Sequence, residues 1–203
     1  MRRHQQQGMP PDSGDAWASG RWEAGVAPIA VVMISLYEGH NMEAVLQNLM
    51  GWAQEVFLVD SYSQDETVDI ALRYGVHIVQ RRFSTFGDQW NFALDELPIT
   101  APWTMKLDPD ERLSDELKHD IVATVLRGGC DGIEFDRRWW LMGQRLSISD
   151  RLLRVWRTGS CRFTDVLVNE RPILRGKTQF VHGILEHLDS PNLDHWVEKQ
   201  NAY

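Results

Sequence analysis

The feature that most constrains the fold is a regular alternation of apolar runs and helix-like segments between residues 29 and 135. Short, near-continuous apolar runs are typical of strands buried on both faces of a parallel sheet. Such runs are Ile29–Leu36, Glu55–Asp60, Val76–Gln80, Trp103–Asp108 and Asp131–Phe135. The segments between them carry apolar residues at helical spacing. The alternation predicts an α/β fold in which a mostly parallel, Rossmann-like sheet is flanked by helices.

Helix boundaries are indicated by capping residues. Asn41 and Ser114 each precede an amphipathic segment and can cap it, and Ser63 opens a capping-box sequence. Gly75 and Gly128-Gly129 fit the positions just after helices. Beyond residue 136 the periodicity weakens, which predicts a short C-terminal part of mixed strands and loops.

Two of the predicted strands end in a carboxylate, Asp60 and Asp108. Ligands of open α/β sheets bind at the carboxyl ends of the strands. The alternative is that each aspartate simply caps a helix or occupies a turn. Their occurrence at two strand ends favours a shared binding site.

The segment Asp108-Pro109-Asp110-Glu111 places three carboxylates within four residues. Pro109 favours extended geometry at Asp108, and in an extended stretch Asp108 and Asp110 would face the same way. Carboxylates brought together in this way need a cation, and their hard oxygen atoms suit Mg²⁺ or Mn²⁺. The alternative is a solvated acidic turn, but the position at a strand end favours the metal.

Composition and missing motifs exclude other classes. The chain has 21 basic and 29 acidic residues, a net charge of -8, which argues against a nucleic-acid surface. The sequence contains no P-loop pattern and no GxGxxG after a strand. It also lacks the GxSxG, HExxH and CxxC motifs.

The domain organisation is expected to be simple. Residues 1–25 are polar and lack a signal-peptide core, so they predict a disordered lead-in. Residues 26–203 predict one domain, in two parts at 29–135 and 136–203. Two isolated cysteines and the lack of a bilayer-length apolar run favour the cytoplasm. The sequence does not indicate an oligomeric state.

In their order along residues 29 to 203, several motifs resemble those of the family-2 glycosyltransferases of the GT-A fold, especially the branch of lipopolysaccharide-core β-glucosyltransferases. The segments are VVMISLYEGHNM, VDSYSQDET, FGDQWNFAL, LDPDERLSDEL, FTDVLVNERPIL and the tail LEHLDSPNLDHWVEKQNAY. Ordered motifs at matching spacing are far more specific than any one of them alone.

The resemblance implies a nucleotide-sugar-binding half at 29–135, an acceptor-side half at 136–203, and roles for individual residues. It implies nucleotide-sugar binding by Ser35, Tyr37, Glu38, Asp60 and Asp108. The second acid of the D-x-D motif, Asp110, and the late His187 would hold Mn²⁺ or Mg²⁺. Glu170 matches the catalytic base. Lys199, Asn201 and Tyr203 match a terminal motif to which no role is assigned.

By this resemblance the reaction is an inverting transfer from a UDP-linked or other nucleotide-sugar donor. The acceptor would be a saccharide or a lipid-linked saccharide of the cell envelope, which allows peripheral contact with the inner face of a membrane. The segment from Arg137 to Trp140 fits an acceptor-facing surface and a packed, salt-bridged edge equally well.

The sequence departs from the family pattern at three places, and the first and third of these motivate an alternative function. Tyr37 stands where the family usually has Asn, Pro109 replaces a small residue, and the chain stops at Tyr203. The alternative is a catalytically weak or inactive module that binds a nucleotide-sugar or a partner. A nucleotidyltransferase is less favoured, because the first loop lacks a basic triphosphate-binding segment.

Overall fold

The computed structural model describes residues 16–18, 21–190, 192–194 and 196–197. The strands are β1 (Ala16–Ala18), β2 (Ala27–Ser35), β3 (Ala53–Asp60), β4 (His77–Gln80), β5 (Trp103–Lys106), β6 (Glu111–Leu113), β7 (Gly132–Leu141), β8 (Gln144–Arg157), β9 (Cys161–Phe163), β10 (Pro172–Leu174) and β11 (Thr178–Asp189). The helices are α1 (Gly39–Leu49), α2 (Thr67–Arg73), α3 (Phe86–Glu96) and α4 (Asp115–Arg127).

Nine of these strands form one mixed sheet in the order β1-β4-β3-β2-β5-β8-β7-β11-β6. The neighbours β4, β3, β2 and β5 are parallel, as the alternating sequence predicts. The α/β class, with a Rossmann-like sheet between helices, is therefore confirmed. Strand β8 runs antiparallel between β5 and β7 and joins the parallel part to the C-terminal strands.

Each face of the sheet is covered by a separate apolar cluster. Alternate residues of β2 divide between the two faces: Met33 packs with the α1 residue Leu46 and the α4 residue Leu117. Val32 packs on the other face with Trp90 of α3 and Trp156 of β8. Because both faces are covered, β2 carries a continuous apolar run instead of an alternating one.

Two of the predicted helix starts are wrong. Helix α1 begins at Gly39 with Glu38 as its N-cap, so Asn41 lies inside the helix. Helix α2 begins at Thr67, because the Ser63 hydroxyl is used by Asp60 instead of a helix end. The cap at Ser114 is confirmed, since its hydroxyl accepts a hydrogen bond from the backbone N–H of Leu117.

The C-terminal part is more regular than predicted. In place of short strands and loops, β7 and β8 form a long hairpin and β11 runs for 12 residues beside β7. Much of this hairpin is only partly buried, so charged and aromatic side chains replace the apolar pattern that would have revealed it.

The predicted disordered lead-in does not extend to residue 25. Ala16–Ala18 pairs with β4 at the sheet edge, and the backbone N–H of Gly25 donates to the Ala53 carbonyl. Residues 1–15 and the terminal motif residues Lys199, Asn201 and Tyr203 lie outside the described residues. Among the described helices, none has the length and apolarity that a bilayer crossing requires.

Substitution of Gly183 by alanine tests how β11 is positioned. A methyl group there would overlap the backbone of Leu117 at the start of α4. We expect Gly183→Ala to lower the free energy of unfolding by about 1–3 kcal/mol through overpacking. Urea unfolding measures this change. Thr178→Ala, at the exposed start of the same strand, is the control; equal stability of the two variants would contradict this packing.

Candidate active site

The carboxyl ends of β3, β2 and β5 lie at one edge of the sheet and carry the predicted site residues. Ser35 at the end of β2 pairs in register with Asp60 at the end of β3. Asp108 follows β5, which lies on the other side of β2. At the usual strand spacing, the β3 and β5 ends are about 10 Å apart. The structure therefore brings both aspartates to one edge, without direct contact between their strands.

Asp60 is fully buried and holds its loop together. Its carboxylate accepts hydrogen bonds from the hydroxyls of Ser35 (2.9 Å) and Ser63 (2.5 Å). It also accepts from the backbone N–H of Ser63 (2.9 Å) and the side-chain amide of Gln80 (3.0 Å). Both carboxylate oxygens are engaged in these hydrogen bonds. Asp60 therefore holds the neighbouring strand ends and the loop after β3 in fixed positions.

The loop after β2 lies above this network. Tyr37 adopts a left-handed conformation (φ 59°) with its side chain 54% exposed, and its backbone N–H donates to the Ser63 hydroxyl (2.9 Å). The backbone N–H of Glu38 donates to the Thr67 hydroxyl, and its carboxylate accepts from Asn41. The loop is thus fixed to α2 while Tyr37 projects outward.

The acidic segment after β5 is a turn, so the prediction that Asp108 and Asp110 face the same way in an extended stretch is wrong. The backbone N–H of Glu111 donates to the Asp108 carbonyl (2.9 Å), and the N–H of Asp108 donates to the Glu111 carboxylate (2.9 Å). Arg112 donates to the carbonyls of Pro109 and Asn41. These bonds tie the turn to α1.

Arg154 is the centre of this edge, and no sequence motif pointed to it. It is 4% exposed, and its Nη2 donates to Glu111 (2.7 Å) and Asp108 (3.0 Å). The register of β7 and β8 shifts at Arg154, where Ile133 pairs with Val155. Such bulges redirect side chains near functional sites. Only the strand pairing reveals that Arg154 lies beside the acidic turn.

The charges at this edge reinforce one another. Burial alone would raise the pKa of Asp108, but the positive charges of Arg154 and Lys106 hold that pKa well below its usual range. Burial alone would lower the pKa of Arg154, and the carboxylates of Glu111 and Asp108 raise it instead. Asp108 and Arg154 are therefore charged at neutral pH.

Asp110 and His187 lie together, although they are far apart in sequence. His187 on β11 pairs in register with Glu111 on β6, and the N–H of Leu188 donates to the Asp110 carbonyl (2.8 Å). The His187 Nδ1 atom lies 3.5 Å from Oδ1 of Asp110 and 3.9 Å from Oε1 of Glu111. Asp189 joins them, and the ligand atoms of Asp110, His187 and Asp189 all lie within 4.8 Å of one another.

This trio has the chemistry of a divalent metal site. Two carboxylates and an imidazole suit Mn²⁺ or Mg²⁺. Ligand atoms of an octahedral ion with bonds near 2.1 Å are about 3–4.2 Å apart, which includes the spacing of Asp110 and His187. Burial alone would lower the pKa of His187, but contact with Glu111 and the charge of Asp110 raise it. A cation and a proton would therefore compete for its ring.

Glu170 reaches the same edge from the loop after β9. Its carboxylate forms an ion pair with Lys106 at the end of β5, and both side chains are largely buried. The Lys106 ammonium also lies 4.5 Å from the ring centre of Trp90 and 5.3 Å from that of Phe163. The ion pair fixes Glu170 near Arg154, and the charge of Glu170 helps to raise the pKa of that arginine.

The segment from Arg137 to Trp140 forms a salt-bridged edge of the site. Arg137 donates to Asp150 (2.7 Å) and contacts Glu111 (3.4 Å), and Trp139 Nε1 donates to Asp150. Arg138 and Trp140 both donate to Glu186. The same arginines line a cleft of about 400 Å³ with Arg145, Ser147 and Ser149. This segment therefore combines packing with one wall of an open cleft.

Comparison with known proteins agrees with this geometry. Residues 30–163 match the family described as glycosyl transferase family 2. An uncharacterized glycosyltransferase of Rickettsia bellii is 33% identical over 93 residues, which cover 46% of this chain and 31% of that protein. One of Rickettsia prowazekii is 22% identical over 191 residues, covering 86% of this chain and 65% of that protein. The chain thus spans about one third to two thirds of these relatives.

Solved structures share the fold. Residues 1–349 of S. aureus TarS, crystallised in complex with UDP-GlcNAc, align with a TM-score of 0.60 and 13% identity. The alignment covers 83% of this chain and 60% of that one. A mycobacterial protein aligns with a TM-score of 0.53 and 14% identity, covering 82% of this chain and 69% of the other. At these identities the likeness concerns the fold alone.

Removal of the Arg154 charge tests whether it stabilises the acidic turn. Arg154→Met leaves the carboxylate of Glu111, which is fully buried, without its closest cation. We expect a loss of about 3–5 kcal/mol in the free energy of unfolding, measured with urea. The double variant Glu111→Gln/Arg154→Met should recover part of this loss, because position 111 then carries no buried charge, while Asp108 still lacks its arginine partner.

The matched control is Arg162→Met, which removes an exposed arginine paired with Asp95. Exposed ion pairs contribute little to stability, so its unfolding midpoint should stay close to that of the unmodified chain. Equal midpoints for Arg154→Met and Arg162→Met would show that the buried cluster does not stabilise the fold.

Proposed function

The chain belongs to glycosyl transferase family 2, and from that premise we propose that it transfers a sugar from a UDP-linked donor to a hydroxyl group of a saccharide or lipid-linked saccharide. The observation that carries the proposal is the convergence of three groups at one sheet edge. These are the trio Asp110, His187 and Asp189, the ion cluster around Arg154, and the carboxylate of Glu170.

The donor side of the proposed site is the edge formed by β3, β2 and β5. Asp60 and Ser35 order the strand ends, and Tyr37 and Glu38 form the rim above them. Asp108 is held in its charged form beside Arg154 and offers an acceptor for a ribose hydroxyl. The TarS structure, which has this fold, was solved with UDP-GlcNAc, and this supports a UDP-sugar here.

Asp110, His187 and Asp189 would hold Mn²⁺ or Mg²⁺ in this proposal. When bound, such an ion supplies Lewis-acid neutralisation of the diphosphate leaving group. Asp110, one member of the trio, lies in the same turn as Asp108. The proposed donor site and the proposed metal site are therefore next to each other, beside the ion cluster around Arg154.

Glu170 is the proposed general base. Its carboxylate takes the proton from the acceptor hydroxyl while the acceptor oxygen bonds to the anomeric carbon and the bond from that carbon to the diphosphate breaks. A single displacement of this kind inverts the anomeric configuration. Lys106, which pairs with Glu170, is the positioning residue that directs this carboxylate toward the edge.

The finer assignment is also a proposal. Resemblance to the lipopolysaccharide-core β-glucosyltransferase branch supports a hexosyl donor and a cell-envelope acceptor, reached from the cytoplasm. The acceptor would approach from the side of Glu170 and the cleft beside Arg137 and Arg138. Since the chain spans only part of these relatives, the donor and acceptor of the whole protein belong to the same proposal.

The second candidate is a module that binds a nucleotide-sugar without transferring it. The observation that favours it is Tyr37, whose bulky side chain stands in a left-handed conformation on the donor rim. A bulky aromatic residue is uncommon in this backbone conformation. The tyrosine ring on the rim would leave less space for a nucleotide. Binding of UDP without turnover would select this candidate.

The metal assignment is tested by thermal unfolding with UDP and Mn²⁺, separately and together. Selective binding raises the midpoint, by the equivalent of about 2.7 kcal/mol when the ligand is at a hundredfold excess over its Kd. We expect Asp110→Asn and His187→Ala to lose the Mn²⁺-dependent part of the shift. The controls are Asp115→Asn and His119→Ala, two exposed positions of α4. A full Mn²⁺-dependent shift in Asp110→Asn would show that this aspartate is not a metal ligand.

The base assignment is tested with Glu170→Gln, which keeps an oxygen to accept from Lys106. We expect kcat for sugar transfer to fall by about 10²–10⁴-fold, the usual contribution of a general base, while the donor KM stays the same. UDP release with a panel of saccharide acceptors measures both. Glu116→Gln, on the exposed side of α4, is the control, and undiminished kcat in Glu170→Gln would mean that another group takes the proton.

A further inference from the structure

The loop that carries Glu170 has two unlike sides. It is closed by hydrogen bonds between Thr164 and Arg171, at 3.0 Å and 2.9 Å. Its inner side presents Glu170 to Lys106. Its outer side presents three consecutive apolar residues, Val166, Leu167 and Val168, which are 39%, 61% and 43% exposed. A run of exposed apolar residues is unfavourable in water and is retained where it serves a contact.

The loop is fixed in place, so the exposure of these residues is a built feature. The backbone N–H groups of Phe86 and Gly87, at the start of α3, donate to the carbonyls of Leu167 and Val166. Gly87 has no room for a side chain, because a methyl group would overlap the Thr164 carbonyl. These contacts fix the apolar tip, while the ion pair with Lys106 holds Glu170 on the inner side of the same loop.

The surroundings of the tip add further apolar surface and positive charge. Phe83 is 40% exposed and packs edge-on against Phe86, at 5.0 Å between ring centres. Arg82 and Arg171 are exposed beside this surface and form no ion pair within the described part of the chain. The acid at the tip, Asp165, accepts a hydrogen bond from the Thr85 hydroxyl. The patch is thus an apolar surface flanked by two cations on a chain of net charge -8.

We propose that this patch, formed by Phe83 and Val166–Val168 with Arg82 and Arg171, docks on an anionic lipid bilayer. Apolar side chains enter the boundary between headgroups and acyl chains, and the arginines contact lipid phosphates. The net negative charge of the chain opposes approach to such a surface, so the local arginines set the orientation. A bilayer fits this exposed tip better than a protein partner does, because lipids need no complementary pocket. The consequence for the reaction rests on the proposed function: Glu170 is brought to the hydroxyl of a lipid-linked acceptor.

Co-sedimentation with vesicles tests the patch. The 203-residue chain is mixed with vesicles of phosphatidylcholine alone or with phosphatidylglycerol added, without donor or metal. We expect binding to the mixed vesicles that weakens with salt. Leu167→Gln/Val168→Gln should weaken it about tenfold or more, because two apolar side chains no longer leave water. Arg82→Gln/Arg171→Gln should remove the preference for phosphatidylglycerol.

Leu126→Gln is the matched control, since Leu126 is 72% exposed beside Arg127 on α4, which covers the opposite face of the sheet. It should bind vesicles as the unmodified chain does. The proposal is overturned if the unmodified chain fails to sediment with mixed vesicles, or if Leu167→Gln/Val168→Gln sediments equally well. Self-association that this double variant abolishes, without vesicle binding, would also overturn it and assign the patch to a second copy of the chain.

The thermal shift with UDP and Mn²⁺ separates this inference from the proposed function. If the chain shows the thermal shift with UDP and Mn²⁺ but does not bind vesicles, the membrane-docking proposal is rejected and the proposed function is not. Vesicle binding without any shift supports the patch and rejects the donor site. Circular dichroism melts of the glutamine variants establish that they remain folded.

Discussion

The arrangement of the carboxyl edge depends on one buried ion cluster, in which Arg154 binds Glu111 and Asp108. Glu111 is fully buried, and a carboxylate in such a place is strongly unfavourable without a cation beside it. Because Arg154 fixes Glu111, it also fixes the start of β6. The register of β6 with β11 then sets His187 opposite Glu111 and beside Asp110. One arginine thus determines where the candidate metal ligands meet.

The parallel part of this fold was predictable because burial on both faces imposes a recognisable composition on each strand. Strands β2 and β3 lie within continuous apolar runs, and the polar residues Ser35 and Asp60 mark the points where the strands leave the core. The prediction that Asp60 and Asp108 reach one edge follows from this alone. Capping at Ser114 was equally local, since the hydroxyl and the N–H of Leu117 are three residues apart.

The rest of the site depends on contacts between distant segments, which leave no local pattern. Arg154 lies in a strand whose partners, β5 and β7, are set by pairing across the sheet. Lys106 was read as part of an apolar run, and its ion pair with Glu170 spans 64 residues. The turn at Asp108 was predicted as extended because Pro109 favours that conformation, but the bond from the Glu111 N–H outweighs the preference. Asp189 joins Asp110 and His187 only because β11 lies beside the acidic turn.

The charge distribution at the edge supports the proposal that a bound cation takes part in the reaction. The basic side chains there are Lys106, Arg112, Arg137 and Arg154, and each of them is already engaged by carboxylates or carbonyls of the chain. The acidic side chains there include Asp60, Asp108, Asp110, Glu111, Glu170 and Asp189. A diphosphate that approached these acids without a counter-ion would be repelled, and releasing an arginine to meet it would leave a buried carboxylate unpaired. In the proposed site, a divalent ion on Asp110, His187 and Asp189 would reverse the local field while leaving the structural ion cluster intact. In this proposed arrangement the arginines stabilise the fold and the metal would bind the substrate.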